Sequence, residues 1–283
     1  MTAYLSTPGI DTPDLADAAA FGRLAERPPQ VPTMPTGLAV IPITGWLTSR
    51  TSPLEAWGWV TSYERLHAHL HQALTDPKIQ HIVLDIDSAG GTATGAFELA
   101  DAIYAARAVK PITALAHFTA CSGAYLLAAA ASRIVVSQTS AVGSIGVRAD
   151  HVDWSKRNEM EGIQVTTVSA GVHKNDLTPH EPISEQSLTT LTDQVQSLYR
   201  MFVSAVARYR SGLTEQAVRE TEAAVYFGQE AIDQGLADER ASPQAVIDRL
   251  AAEVGAASGQ RLAAPLPRRV RYQARAMRMR ATL

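Results

Sequence analysis

Two periods of apolar positions run along this chain. Residues 38–43 read Leu-Ala-Val-Ile-Pro-Ile, a first core strand closed by Gly45. In 62–74 the apolar positions Tyr63, Leu66, Leu70 and Leu74 fall at helical spacing, and Asp76-Pro77 ends that helix. Residues 81–86 form a short, nearly continuous apolar run, the kind of strand buried on both faces, and lead into a Gly90-Gly91 turn. A helix over about 93–109, a strand over 111–116, an Ala-rich helix after Ser122 and a strand over 133–137 come next. The second half holds a glycine-punctuated loop at 141–147, a strand at 163–168 ending at a Gly171 turn, and a long helix opened at 182–184. That helix has apolar positions Leu188, Leu191, Val195, Leu198, Phe202 and Val206. Thr214 caps a further helix, 225–228 is a short strand, and a helix over 229–234 stops at Gly235. Strands alternating with helices at this spacing predict an α/β fold with parallel strands.

This alternation spans 37–250, taken as one domain. Residues 1–36 carry six prolines and little sustained period, which predicts an extended N-terminal arm. Residues 251–283 read as a flexible tail that ends in seven arginines from Arg261 to Arg280 without an acid. The whole chain has a formal charge of −3, so setting those seven aside leaves −10 on an acidic body. A basic tail suits a partner surface or nonspecific nucleic-acid contact, but with only Tyr272 interleaved it does not suit base stacking. No apolar run approaches the roughly 18–20 residues of a membrane span, and no secretory leader stands at Met1–Pro35, so the expectation is a cytoplasmic protein. A single cysteine, Cys121, excludes an internal disulfide and a cysteine-rich zinc site.

The chemistry gathers around Ser122. It precedes a run of strong helix formers, where unpaired N–H groups can meet a developing anion. Its bland role would be an N-cap. Acyl transfer needs a nucleophile, a base and oxyanion donors. Ser122 offers the first. Gly90-Gly91 follows a buried strand, and the N–H of Gly91 (or Gly90) with that of Gly123 can form the donor pair. Lys174 is the base candidate: Val168, Ala170, Gly171 and Val172 around it are small and apolar, and desolvation there would lower its pKa.

Four stretches occur in order: Asp87-Ser88-Ala89-Gly90-Gly91, Cys121-Ser122-Gly123-Ala124-Tyr125, Val142-Gly-Ser-Ile-Gly-Val147 and Ser169-Ala-Gly-Val-His-Lys174. Together, from about Gly37 to Arg240, they resemble the serine-lysine peptidases typified by signal peptide peptidase SppA, in particular the phage and prophage capsid proteases of the lambda C type. The resemblance implies a ClpP/crotonase-like fold of repeated strand-strand-helix units, assembled as a homo-oligomer. It implies Ser122 as nucleophile, Lys174 as general base, and Gly91 and Gly123 as oxyanion donors. Gly90, Ser144 and Tyr125 are expected to line the substrate site. Ala89 stands where the family commonly has proline, and Ala124 where many members have glycine. The expected function is a Ser-Lys endopeptidase that trims capsid or scaffold proteins, needing no metal or organic cofactor. Its alternatives are a housekeeping signal-peptide-peptidase-like protease and a non-catalytic crotonase-fold assembly module.

Rivals sit in the same sequence. Cys121 is intrinsically the better nucleophile, but neighbouring side chains cannot both face the glycine turn, so it reads as a packed residue. His151, with Asp153 or Asp176, could form a Ser-His-Asp triad. His173 reads as lining the site or facing solvent. Asp85 and Asp87 share one face of their strand, and one of them is expected to cap the following turn. His67, His69 and His71 read as a solvated helix face rather than a zinc site.

Overall fold

The computed structural model describes residues 31–34 and 36–257. The Pro-rich arm therefore lies almost wholly outside the described residues, as does the arginine run from Arg261. Strands β1 (Leu38–Thr48), β2 (Val60–Ser62), β3 (His81–Gly91), β4 (Ile112–Cys121), β5 (Arg133–Val136) and β8 (Glu239–Arg240) form one sheet in the order β2-β1-β3-β4-β5-β8, every pair parallel. A 3-10 turn (Pro53–Trp57) joins β1 to β2. Helices α1 (Tyr63–Thr75), α2 (Ala96–Ala106) and α3 (Gly123–Ala129) each follow a strand, giving the repeated strand–helix units of an α/β fold.

Parallel strands carry helices on their faces, so alternate side chains in each strand are buried in opposite directions. Ala39, Ile41 and Ile43 of β1 and Ile82, Leu84 and Ile86 of β3 share a core with Leu66 and Leu70 of α1 and Leu99 and Ile103 of α2. The intervening Leu38, Val83, Leu115 and Val135 face the other way, against Val246, Leu250 and Ala251 of α8 (Pro243–Ala257). That helix runs past residue 250, where the sequence pattern placed the end of the domain.

The strand β4 serves two partners. Thr113–Ala116 pair with β5, whereas Thr119–Cys121 pair with β6 (Ala141–Gly143), which in turn pairs antiparallel with β7 (Val225–Phe227). Cys121 stands opposite Gly143, so the chain emerges from β4 at Ser122 beside the end of β6. Helix α3 is apolar all round and has no exposed residue after Gly123, as expected of a helix embedded in a core.

Several strands run longer than the apolar pattern suggested, because backbone pairing continues through polar and glycine residues. β1 passes through Gly45 to Thr48, β3 through Ser88 to Gly91, and β4 through His117 to Cys121. The strand expected at 163–168 is absent. Residues 161–183 hold turns and irregular backbone, and Ile163, Val165 and Val168 are exposed, because no sheet edge is there to pair them. Beside that segment lie the short α4 (Ser155–Met160) and the long α5 (Glu185–Tyr209), capped by Ser184, whose hydroxyl accepts the Ser187 N–H at 3.1 Å. Thr214 caps α6 (Glu215–Glu220) as expected, and α7 (Gly228–Asp233) leads to Gly235. Among the described residues no helix is long and apolar enough to cross a membrane.

Candidate active site

Ser122 occupies the N-cap position of α3 but does not cap it: its hydroxyl makes no hydrogen bond to the helix. Its backbone sits at φ 52, ψ −125, a region that glycine enters freely and a side chain only under strain. The elbow is held from both sides. Ser122 N–H donates to the Gly143 carbonyl at 2.9 Å, and its own carbonyl accepts the Leu126 N–H at 3.0 Å. Backbone, not side chain, makes this helix start, which leaves the Ser122 hydroxyl for other work.

The glycine turn of β3 presses directly on that elbow. Gly90 has φ +106, and a Cβ there would lie 2.8 Å from Ser122 Cβ and 3.0 Å from Gly123 N. Only glycine permits this approach. Thr92 N–H donates to the Leu47 carbonyl of β1 at 2.9 Å. The Leu47 carbonyl, although Leu47 stands opposite Gly91 in the register, is thus taken by Thr92 N–H and not by Gly91. Pairing of β3 with β4 ends at Ser88–Ala120, so the Gly91 N–H meets no ladder partner on the β4 side. Gly91 N is 3.6 Å from where a Cβ on Gly123 would stand, which places the two peptide groups next to each other. Gly123 is the first residue of α3, and its N–H has no helical acceptor. Two N–H donors thus converge beside a strained serine.

Tyr63 braces the turn from below, its hydroxyl donating to the Thr92 carbonyl at 2.8 Å. Burial pushes that phenol well above its ordinary range, so it stays a neutral donor. No sequence signal singled out Tyr63, which looked like one apolar position of an amphipathic helix. Ser144 follows Gly143 at the end of β6, also with positive φ (50), and its N–H donates to the Ala224 carbonyl at 2.8 Å. The Gly143 link to Ser122 brings it to the same end of the sheet.

Other expectations are corrected. Tyr125 lines no substrate site: it is fully buried, and its hydroxyl donates to the Leu236 carbonyl at 3.0 Å. At that point of α3 a side chain turns inward, three residues after Ser122. Cys121, by contrast, is packed as expected, its Sγ 3.6 Å from the Ala141 carbonyl, and burial raises its pKa. The turn after β3 is capped by the Ser88 hydroxyl rather than by a carboxylate, while Asp85 reaches across to His117 Nδ1 at 3.1 Å. His69 is not solvated: it is buried, and among the described residues neither ring nitrogen has a hydrogen-bond partner. Among the described residues no His/Cys/Asp/Glu group is arranged to hold a metal ion.

Lys174 lacks the burial expected of a general base. It is exposed, and so are Val168, Ala170, Gly171 and Val172, so the single chain provides none of the apolar enclosure that the local composition suggested. The reason is the missing strand at 163–168, without which the segment has no layer to pack against. Its loop is nonetheless anchored. Asp176 accepts from Ser187 Oγ at 3.1 Å at the start of α5 and pairs with His173 Nδ1 at 2.9 Å. His151 is turned to the Thr178 carbonyl at 2.9 Å, and Asp153 caps Ser155 N–H, so the His-Asp pair expected of a triad is not formed.

The fold and the elbow define a class: an α/β chain of parallel strand–helix units that presents a serine, flanked by two glycine N–H groups, where a strand turns into a buried helix. The family model for Peptidase family S49 matches residues 105–257, more than half of the chain, and the chain belongs to that family. It is 44% identical over 203 residues to the capsid assembly protease C of Escherichia phage lambda, covering 72% of this chain and 46% of that protein. It is 41% identical over 225 residues to the head-tail preconnector protein GP5 of Enterobacteria phage P21, covering 80% and 45%. A putative signal peptide peptidase SppA of Enterococcus faecium is 26% identical over 196 residues, covering 68% and 56%. The chain spans about half the length of the curated relatives it matches. Among solved structures, a membrane protease specific for a stomatin homolog from Pyrococcus horikoshii aligns with a TM-score of 0.45 at 14% identity, over 75% of this chain and 76% of that one.

Proposed function

We propose that this chain is a serine endopeptidase with a Ser122–Lys174 dyad that cleaves capsid or scaffold proteins during assembly of a phage or prophage head. The observation that carries this reading is the Ser122 elbow, strained, uncapped, and set against the N–H groups of Gly91 and Gly123. Membership of Peptidase family S49 and the names of the two phage relatives support the choice of substrate class.

The chemistry is acyl transfer. Uncharged Lys174 takes the proton from Ser122 Oγ as that oxygen bonds to the peptide carbonyl carbon. The N–H groups of Gly91 and Gly123 hold the oxyanion. The C–N bond breaks as the lysine ammonium returns the proton to the leaving amine. Water repeats the cycle on the ester. An ordinary lysine is charged near neutrality, so the reading requires enclosure of Lys174, which assembly of copies over the exposed 161–174 segment would supply. The fold is of the ClpP/crotonase-like kind, which the splitting of β4 between β5 and β6 supports. The chain acts in the cytoplasm as a homo-oligomer, and the exposed apolar side chains of that segment support self-association.

The test is intact-mass spectrometry of wild type, Ser122→Ala and Lys174→Ala, each incubated with an unfolded protein and with the neighbouring capsid proteins. Fragments in wild type and in neither variant are expected. Cleavage that survives Lys174→Ala overturns the dyad. Three intact samples whose chains co-assemble with capsid subunits favour the assembly-module reading.

A further inference from the structure

A Ser122 peptidase would use Gly91 as an oxyanion donor, and the sequence leaves open why the Gly91 N–H rather than the Gly90 N–H would serve. The register between β1 and β3 answers it. Thr44 stands opposite Asp87 and Trp46 opposite Gly90, so the single residue Gly45 opposes both Ser88 and Ala89. This is a bulge, where an extra residue breaks the ladder and re-aims the next peptide groups of the strand. A bulge leaves ladder groups without their regular partners, and one buried side chain meets two of them. Ser88 is 2% exposed; its hydroxyl donates to the Gly45 carbonyl at 2.6 Å and accepts the Gly90 N–H at 3.1 Å.

This has two consequences. The Gly90 N–H is committed and cannot serve an oxyanion. The Gly91 N–H is then the donor left at the turn, and its nitrogen lies 3.6 Å from where a Cβ on Gly123 would stand. Gly45 can accept this arrangement because it has φ +70, and a Cβ there would fall 2.3 Å from the Trp59 carbonyl. We propose that Ser88 is a positioning residue for acyl transfer: its hydroxyl locks the β3 bulge that aims the Gly91 N–H at the oxyanion. This rests on the Ser122 peptidase reading and adds to it.

The probe is a fluorophosphonate, whose phosphoryl oxygen takes the oxyanion position when Ser122 Oγ displaces fluoride as the leaving group. Saturation kinetics separate reversible binding from the bonding step, and the endpoint counts competent sites. Removing an oxyanion donor costs on the order of 100- to 1,000-fold, and misaiming one costs part of that. Ser88→Ala is expected to slow the bonding step by about 10-fold or more, with reversible binding changed less than about 3-fold and the endpoint still one label per folded chain. Ser88→Thr, which keeps the hydroxyl, should retain the wild-type rate constant in whatever fraction folds. A role confined to stability predicts the opposite pattern, fewer labelled chains reacting at an unchanged rate constant, and that result overturns the proposal. Wild type that is not labelled at Ser122 overturns the peptidase reading instead, so the two failures are told apart.

Discussion

The strain at Ser122 has a stability consequence that separates backbone from side chain. A non-glycine residue at φ 52, ψ −125 costs about 1–3 kcal/mol. Ser122→Gly relieves that cost but gives the unfolded chain extra freedom, worth about 0.5–1 kcal/mol against folding. Ser122→Ala removes the same hydroxyl and keeps the Cβ, hence the strain. The hydroxyl caps nothing, so its loss from the folded state is nearly equal in both variants. Ser122→Gly should therefore be more stable than Ser122→Ala by about 1 kcal/mol, within a range of about 0–2.5. For a body of this size that is roughly 3 °C in Tm. Differential scanning calorimetry of the two variants in one buffer measures it. Both should be inactive, which keeps the comparison free of self-cleavage. A Ser122→Gly protein that melts below Ser122→Ala would refute the reasoning, because the elbow would then carry no strain for glycine to relieve.

Two further predictions concern pH. His69 is held at a pKa of about 4 by burial and by the Arg65 cation, so the unfolded chain takes up this proton first as pH falls. Its stability contribution is whole above about pH 6.5 and is lost toward pH 4, by about 3 kcal/mol in all. His69→Leu should thus melt higher than wild type at pH 5, in thermal scans between pH 4 and 7; equal pH slopes for the two proteins would contradict this. Asp238 is partly buried, which opposes its charge, yet Arg210 and the Ile134 N–H hold its carboxyl below the usual range. Its contribution is present above about pH 4 and fades below it. Asp238→Asn should therefore lower Tm at pH 7, with the gap closing under acid; a gap that widens on acidification would exclude the ion pair as its cause.

Much of the α/β frame was legible in the sequence because its signals are local. The order of strands and helices, Thr214 as a cap, the break after Thr75 and the placement of Ser122 at a helix start come from periodicity, helix-forming runs and turn residues. Ser122, Gly90, Gly91 and Gly123 stood out because small residues flank a serine, and the structure brings these four together. Strand ends were misjudged because ladder bonding does not stop where apolar side chains do, as Ser88 and Gly91 in β3 show. The strand at 163–168 failed for the converse reason: an apolar run specifies a strand only where an edge exists to pair it. Tyr63, Ser88 and Tyr125 were beyond sequence reasoning, since their hydroxyl partners lie 29, 43 and 111 residues away in the chain. Sequence by itself determined which groups can do chemistry, because residue type sets nucleophile, acid and backbone freedom. Only the tertiary structure decided which glycine N–H is committed to Ser88 and which hydroxyl is spent on the core, because bulge register and burial arise when distant strands pack.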